Sequence, residues 1–330
     1  GCVREAVIRD GRAQIELELG FPAAGYQTSL SRLIQEQVRI AFGVAADVRI
    51  GWRVQAAMGG AGALPGVRNI IAVASAKGGV GKSTVAANLA LALRDEGARV
   101  GVLDADIYGP SQPRMLGAEL VTEAAPGTRR EPAEAHGLQV MSIGFFARDR
   151  QPMIWRGPMV TQALLHLLRE TAWKDLDYLV IDLPPGTGDI QLTLAQQVPI
   201  SGAIVVTTPQ DIALIDAIRG LEMFQQVRIP VLGVVENMSG FCCPQCGART
   251  DIFGSGGGAW MSNEHGVELL GQVPLVSSIR EDADAGCPTV AREPDSAASA
   301  VYRAIARRAA ARMAYPANAQ GGPDIQVSDD

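Results

Sequence analysis

The apolar positions of this chain change their rhythm part-way along. In residues 1 to about 57 they are sparse and alternate with charged residues. Ala6-Val7-Ile8 and Ile15, Leu17 and Leu19 flank Asp10-Gly11, a dipeptide suited to the left-handed positions of a tight hairpin turn. Leu30, Leu33, Ile34, Val38 and Ala41 then recur at helical spacing, and Val44 to Trp52 reads as a closing strand. Residues 1–57 are therefore predicted to form a small α/β unit. The Gly- and Ala-rich stretch from Met58 to Gly66 predicts a flexible linker over 58–68.

From Asn69 onward the pattern becomes short, continuous apolar runs: Ile70–Ala74, Val100–Leu103, Leu138–Ser142, Tyr178–Ile181, Ala203–Thr207, Val231–Val235 and Leu269–Gly271. Helical stretches separate them, among them Pro158–Thr171, Ile190–Gln197 and Ile212–Gln225, with a last helix from Ser296 to Ala314. Strands that are apolar on both faces and alternate with helices predict a mostly parallel sheet covered on both sides, spanning 69–315. Residues 316–330 are polar, with Pro, Gly and Asp, and predict a disordered tail.

Composition narrows the class. At 330 residues, two units are the natural expectation. A net charge of −6 without a dense basic run argues against nucleic acid as a partner. No apolar run reaches the roughly 18 residues of a membrane span, so no membrane partner is expected. The five cysteines, Cys2, Cys242, Cys243, Cys246 and Cys287, are too few and too uneven for a secreted disulfide framework, and a reducing cytoplasm fits.

The first apolar run leads into Ser75-Ala76-Lys77-Gly78-Gly79-Val80-Gly81-Lys82-Ser83-Thr84, and a helix-forming segment follows. Strand, glycine-rich turn and helix start make a phosphate-binding loop, in which the backbone of Gly78, Gly79, Val80, Gly81, Lys82, Ser83 and Thr84 surrounds an anion. Lys82 would reach the β- and γ-phosphates of ATP and the Ser83 hydroxyl would join a Mg²⁺ shell. Ala76 replaces the first glycine of the strict motif, which alanine can do if its φ is negative. Lys77 is a second cation that an ordinary phosphate loop does not require.

Two strands end in carboxylates: Val102-Leu103-Asp104-Ala105-Asp106, and Leu179-Val180-Ile181-Asp182 before Leu183-Pro184-Pro185-Gly186-Thr187-Gly188-Asp189. Beside a phosphate loop such aspartates hold Mg²⁺, and Asp104 and Asp182 are assigned that role; the alternative is helix or turn capping. Asp106 is the candidate to orient or deprotonate the attacking water. Gly186-Thr187-Gly188 has the make-up of a segment that moves with the γ-phosphate. Asn237 presents both donor and acceptor to an adenine edge, although turn chemistry also explains it.

Cys243-Pro244-Gln245-Cys246 is a C-x-x-C turn preceded by Cys242. Two thiolates on one side of a turn can share a metal but cannot complete a tetrahedral site. A second subunit supplying another pair, a redox dithiol and an inert pair all remain open. His166 lies in an apolar helical stretch and reads as structural, while His136 and His265 read as loop residues.

The loop from Lys77 to Ser83 resembles the deviant phosphate loop of the SIMIBI class of dimeric ATPases, which includes nitrogenase iron protein and partition ATPases. Together with Asp104 to Ser111, Gly157-Pro158-Met159, Asp182 to Asp189, Thr207 to Gln210 and Asn237-Met238-Ser239, it resembles the Mrp/ApbC-type iron–sulfur cluster carrier ATPases, from about Asn69 to Ile305. That resemblance implies a homodimer in which Lys77 crosses to the partner's nucleotide, and Cys243 and Cys246 of each subunit bridge one [4Fe–4S] cluster. It also implies cluster-donor or scaffold proteins and recipient apoproteins as partners. Residues 1–57 resemble the latter part of a small iron–sulfur-assembly domain, but Gly20-Phe21-Pro22-Ala23-Ala24-Gly25 lacks that domain's cysteine. The rival reading is a ParA/MinD-like partition or positioning ATPase, for which the arginines of the last helix would be the surface-binding group.

Overall fold

The computed structural model describes residues 2–56, 64–120, 129–146, 157–243 and 245–315. The predicted tail and most of the linker lie outside the described residues. In chain order the elements are β1 (Val3–Arg9), β2 (Arg12–Leu19), α1 (Gln27–Phe42), β3 (Ala45–Trp52), β4 (Val67–Ala74), α2 (Lys82–Asp95), β5 (Val100–Asp104) and α3 (Gln112–Met115). They continue with β6 (Ala133–Ala135), β7 (Leu138–Ser142), α4 (Gly157–Glu170), β8 (Leu176–Asp182), α5 (Asp189–Gln197), β9 (Gly202–Thr207), α6 (Asp211–Gln226) and β10 (Val231–Glu236). The last are β11 (Phe241–Cys242), β12 (Arg249–Thr250), α7 (Gly257–His265), β13 (Leu269–Gln272), α8 (Ser277–Asp284), α9 (Thr289–Arg292) and α10 (Ala297–Ala314).

The small unit is the sheet β1-β2-β3 with α1, and its hairpin turns at Asp10 and Gly11, both with positive φ as the dipeptide predicts. The large unit has an eight-stranded sheet in the order β13-β10-β9-β4-β8-β5-β7-β6, and only β6 runs antiparallel to its neighbour. Alternation along β4 explains the two layers. Ile71 and Val73 pack with α2 and α10, while Ile70, Ala72 and Ala74 face the opposite cluster with α4 and α6. Every residue of β5, β8 and β9 is buried, which is why these strands read as unbroken apolar runs. Strand β4 starts at Val67, ahead of the predicted run from Ile70, and Val67 already pairs with Leu176. His265 corrects the loop expectation by ending α7, and His166 is exposed on α4 rather than part of its packing.

The two units meet at Glu96, just after α2. Its main chain and side chain accept from Ala24 N at 2.9 Å and Gly25 N at 3.0 Å, and Arg307 of α10 pairs with its carboxylate at 2.7 Å. The cysteine-free segment 20–25 therefore serves here as the seat of the small unit, with Ala23 fully buried. Removing a buried carboxylate leaves Arg307 and Gly25 N unpaired. Glu96→Ala is expected to lower stability by about 3 kcal/mol in urea titration and to speed amide exchange at residues 20–26. A change below about 0.5 kcal/mol with unaltered exchange would show that the seat lies elsewhere.

Candidate functional site

Parallel registration brings the site together. Asp104 at the end of β5 is the Cα partner of Asp182 at the end of β8, and Asp182 in turn partners Val73 of β4 just before the loop. Ligands of open parallel sheets bind at such carboxyl ends. The loop is shaped by Gly79 and Gly81 at φ 82° and 81°, and a side chain at Gly81 would collide with the Asn237 amide. Ala76 has no positive φ, so the departure from the strict motif is free of strain. α2 starts at Lys82 with Gly81 as its cap and no capping side chain, which leaves its first N–H groups facing outward to an anion.

Lys82 is almost wholly buried and pairs with Asp182, lies 3.9 Å from Asp106 Oδ2, and contacts Ser83 Oγ at 3.3 Å. One ammonium thus serves two carboxylates, with Asp104 buried close behind. Asp104 has both oxygens engaged within the protein: Oδ1 accepts from Asp106 N at 3.2 Å, and Oδ2 from Gln112 N and Ser142 Oγ, each at 3.0 Å. Burial, and then the charge of Asp182, push its carboxyl up to about 7. Asp106 accepts from Gly109 N at 3.3 Å, and burial raises its carboxyl despite the opposing pull of Lys82. Lys77 is exposed and makes no ion pair among the described residues.

Sequence reasoning missed Gln112. Its Nε2 donates to Ser83 O at 3.0 Å and, 70 residues further along the sequence, to Asp182 Oδ2 at 2.9 Å, tying loop and carboxylate together. No periodicity marks such a contact.

A cavity of about 480 Å³ opens beside the loop, bounded by Gly81, Thr84, Ser111, Asn237 and the apolar Met115 and Leu275. Its apolar walls suit a flat base. Asn237 donates its Nδ2 to Val80 O at 2.8 Å, which ties its amide to the loop. Gly186, in the segment expected to move with the γ-phosphate, donates its N–H to Ser75 O at 2.8 Å.

The cysteine turn is a small hairpin, with Cys242 on β11 and β12 returning. Gly247 N donates to Cys243 O at 2.8 Å and Cys243 N to Ala248 O at 2.9 Å. N–H groups of Gln245 and Cys246, followed by the Cys246 thiol, hold the Cys243 thiol below its ordinary value. Pro244 lies outside the described residues, and Cys242 Sγ turns to Gly247 O instead at 3.5 Å. Among the described residues no group of three or more His, Cys, Asp or Glu could hold a metal ion, so the pair is at most half of a four-ligand site. The hairpin is rooted beside the cavity. Ser239 Oγ and Gly258 N bind the two oxygens of buried Glu236 at 2.6 and 2.5 Å, and Leu275 N donates to Gly240 O at 2.9 Å.

Comparison with known proteins gives concordant matches. The family model described as the NUBPL iron-transfer P-loop NTPase matches residues 66–310. The iron-sulfur cluster carrier protein of Escherichia coli (strain K12) is 59% identical over 249 residues, covering 75% of this chain and 68% of that protein. That of Deinococcus radiodurans is 44% identical over 314 residues, covering 95% of this chain and 89% of the relative, so the match takes in the small unit. Among solved structures, a nucleotide-binding protein from Archaeoglobus fulgidus in complex with ADP aligns with TM-score 0.59 at 37% identity, over 68% of this chain and 88% of its own.

The Asp104 carboxyl holds its proton more tightly in the folded chain than in the unfolded one. Its contribution to stability is therefore full below about pH 4 and is lost as pH rises towards about 7. In the metal-free protein, stability is expected to fall with pH across that window, with a shallower slope in Asp104→Asn whatever its absolute stability. Urea midpoints taken at intervals from about pH 5 to about pH 8 decide it, and equal slopes would contradict the assignment.

Proposed function

The chain belongs to the NUBPL iron-transfer P-loop NTPase family, and on that premise we propose that it carries iron–sulfur clusters to apoproteins, with ATP binding and hydrolysis coupled to cluster transfer across a homodimer interface. The observation that carries this reading is the rooting of a two-thiol turn on the wall of the nucleotide cavity, through Ser239, Gly240 and Leu275. The relatives carry the name of cluster carriers, and the Archaeoglobus neighbour holds ADP.

The residues present fit a nucleotide with Mg²⁺. Buried Ser111 Oγ, at the cavity wall, and Gln112 Oε1, beside the loop, both lack a hydrogen-bond partner among the described residues, an unusual state for buried polar atoms unless something else supplies one. Lys82 moves from Asp182 to the phosphates, which frees Asp182 Oδ1. Asp182 and Ser83 would hold Mg²⁺, which would supply neutralisation of the phosphate charge there. Asp106 orients the attacking water, and its raised carboxyl suits it to take a proton. Asp104 positions the backbone of Asp106 and Gln112 from behind. Lys77, exposed and without an ion-pair partner among the described residues, reaches the nucleotide of the partner subunit. The backbone from Gly78 to Thr84 encloses the phosphates, and Asn237 Oδ1 accepts from the base.

The cluster is cargo. Cys243 and Cys246 supply two thiolates, and a second copy of the chain supplies two more, completing a four-thiolate [4Fe–4S] site. Donor or scaffold proteins load the dimer and recipient apoproteins empty it, in the cytoplasm. A surface-binding ATPase is not favoured. The arginines of α10 are engaged within the protein: Arg303 on Pro294 O, Arg307 on Glu96, Arg308 on Leu270 O and Arg312 on Glu268. Among the described residues no helix is long and apolar enough to cross a membrane.

Two variants separate the halves of this mechanism. After anaerobic reconstitution, Cys243→Ala/Cys246→Ala is expected to retain under about a tenth of the parent's iron and sulfide, because two thiolates per subunit are gone, and equal retention would sink the assignment. Lys82→Ala is expected to bind cluster normally yet hydrolyse ATP at least about a hundredfold more slowly and fail in delivery. Unimpaired delivery by Lys82→Ala would remove ATP from the transfer step.

A further inference from the structure

Gln112 is fully buried at the first position of the four-residue helix α3, where an apolar side chain would fill the same space without burying an amide. Its Nε2 faces Ser83 O and Asp182 Oδ2, which can only accept. Those two partners fix which way the amide points. Oε1 is left buried with no donor among the described residues, although a buried amide oxygen normally has one. The main chain of the same residue holds Asp104 at 3.0 Å. One residue thus touches the phosphate loop and both strand-end aspartates.

We propose that Gln112 is the positioning residue of the divalent-ion site: it holds the Asp182 carboxylate by Oδ2 so that Oδ1 faces the ion, and its Oε1 accepts a hydrogen bond from water on that ion. The proposal rests on the nucleotide–Mg²⁺ reading above. While Lys82 occupies Asp182 Oδ1, Gln112 keeps the other oxygen in place. When Lys82 turns to the phosphates, the carboxylate stays aimed and a single oxygen is exposed. Oε1 then gains a donor from the hydrated ion. Ser83 is held from the same side through its carbonyl, so both ligands of the ion are set by one amide.

The test uses Mn²⁺ as the probe, its free concentration read by electron paramagnetic resonance, with the full chain loaded with a non-hydrolysable ATP analogue. Gln112→Met keeps the length and removes both polar atoms; Gln112→Asn keeps the amide but cannot span to Asp182 and Ser83. Both are expected to weaken Mn²⁺ binding about tenfold, the size of effect that follows loss of a group orienting a metal ligand, with affinity for the metal-free analogue within about twofold of the parent. Mn²⁺ affinity within about twofold of the parent in either folded variant would overturn the proposal, as would equal weakening of metal and metal-free nucleotide. If neither variant folds, Gln112 is a structural residue and the proposal fails. A parent chain that binds neither analogue nor Mn²⁺ would instead overturn the nucleotide reading itself.

Discussion

The site depends on the buried pair between Lys82 and Asp182. An ammonium and a carboxylate taken out of water recover their hydration only through each other and their remaining hydrogen bonds. Here the balance is uneven, because Asp106 and Asp104 share the same enclave with a single lysine. Such a pair is poised for exchange: a polyphosphate offers Lys82 a stronger partner, and a divalent cation offers Asp182 one. The parallel sheet creates this arrangement. Strands β4, β5 and β8 lie side by side with their carboxyl ends in register. Val73 and Asp104 therefore both stand beside Asp182, and the loop that follows β4 meets two carboxylates from distant parts of the chain.

The same edge of the sheet leads to the thiols. β10 ends in Glu236, whose buried carboxylate holds Ser239 at the root of the cysteine hairpin and Gly258 at the start of α7. Between them, Asn237 ties back to Val80 of the phosphate loop, and Met238 takes a positive φ of 58°, a conformation disfavoured for its side chain. The loop, the cavity wall and the thiol turn thus share one short, hydrogen-bonded stretch. This gives the proposed coupling a path inside each protomer, in addition to the dimer contact proposed for Lys77.

Much of this was legible in the sequence where chemistry is local. The seven apolar runs from Ile70 to Gly271 became strands because residues buried on both faces must be apolar, and Asp10-Gly11 turned because its backbone tolerates positive φ. The phosphate loop and the strand-end aspartates were legible by type and spacing. What escaped was set by distant partners. Gln112 reads as an ordinary polar residue beside a proline until folding brings Asp182 to it. The three donors that hold Asp104, from Asp106, Gln112 and Ser142, are visible only in space. Asn237 likewise has its amide nitrogen turned to Val80 O, and the docking of the small unit on Glu96 left no periodic trace.

In the proposed function, two copies of this chain join two thiol pairs into one cluster site. The most direct measurement is native mass spectrometry of the parent protein reconstituted without oxygen, with its visible absorbance and iron content taken on the same sample. The expected result is a coloured dimer holding about four irons, as a four-thiolate cluster does, with no comparable iron on the monomer. A colourless monomer, or a monomer that carries a full cluster alone, would contradict it.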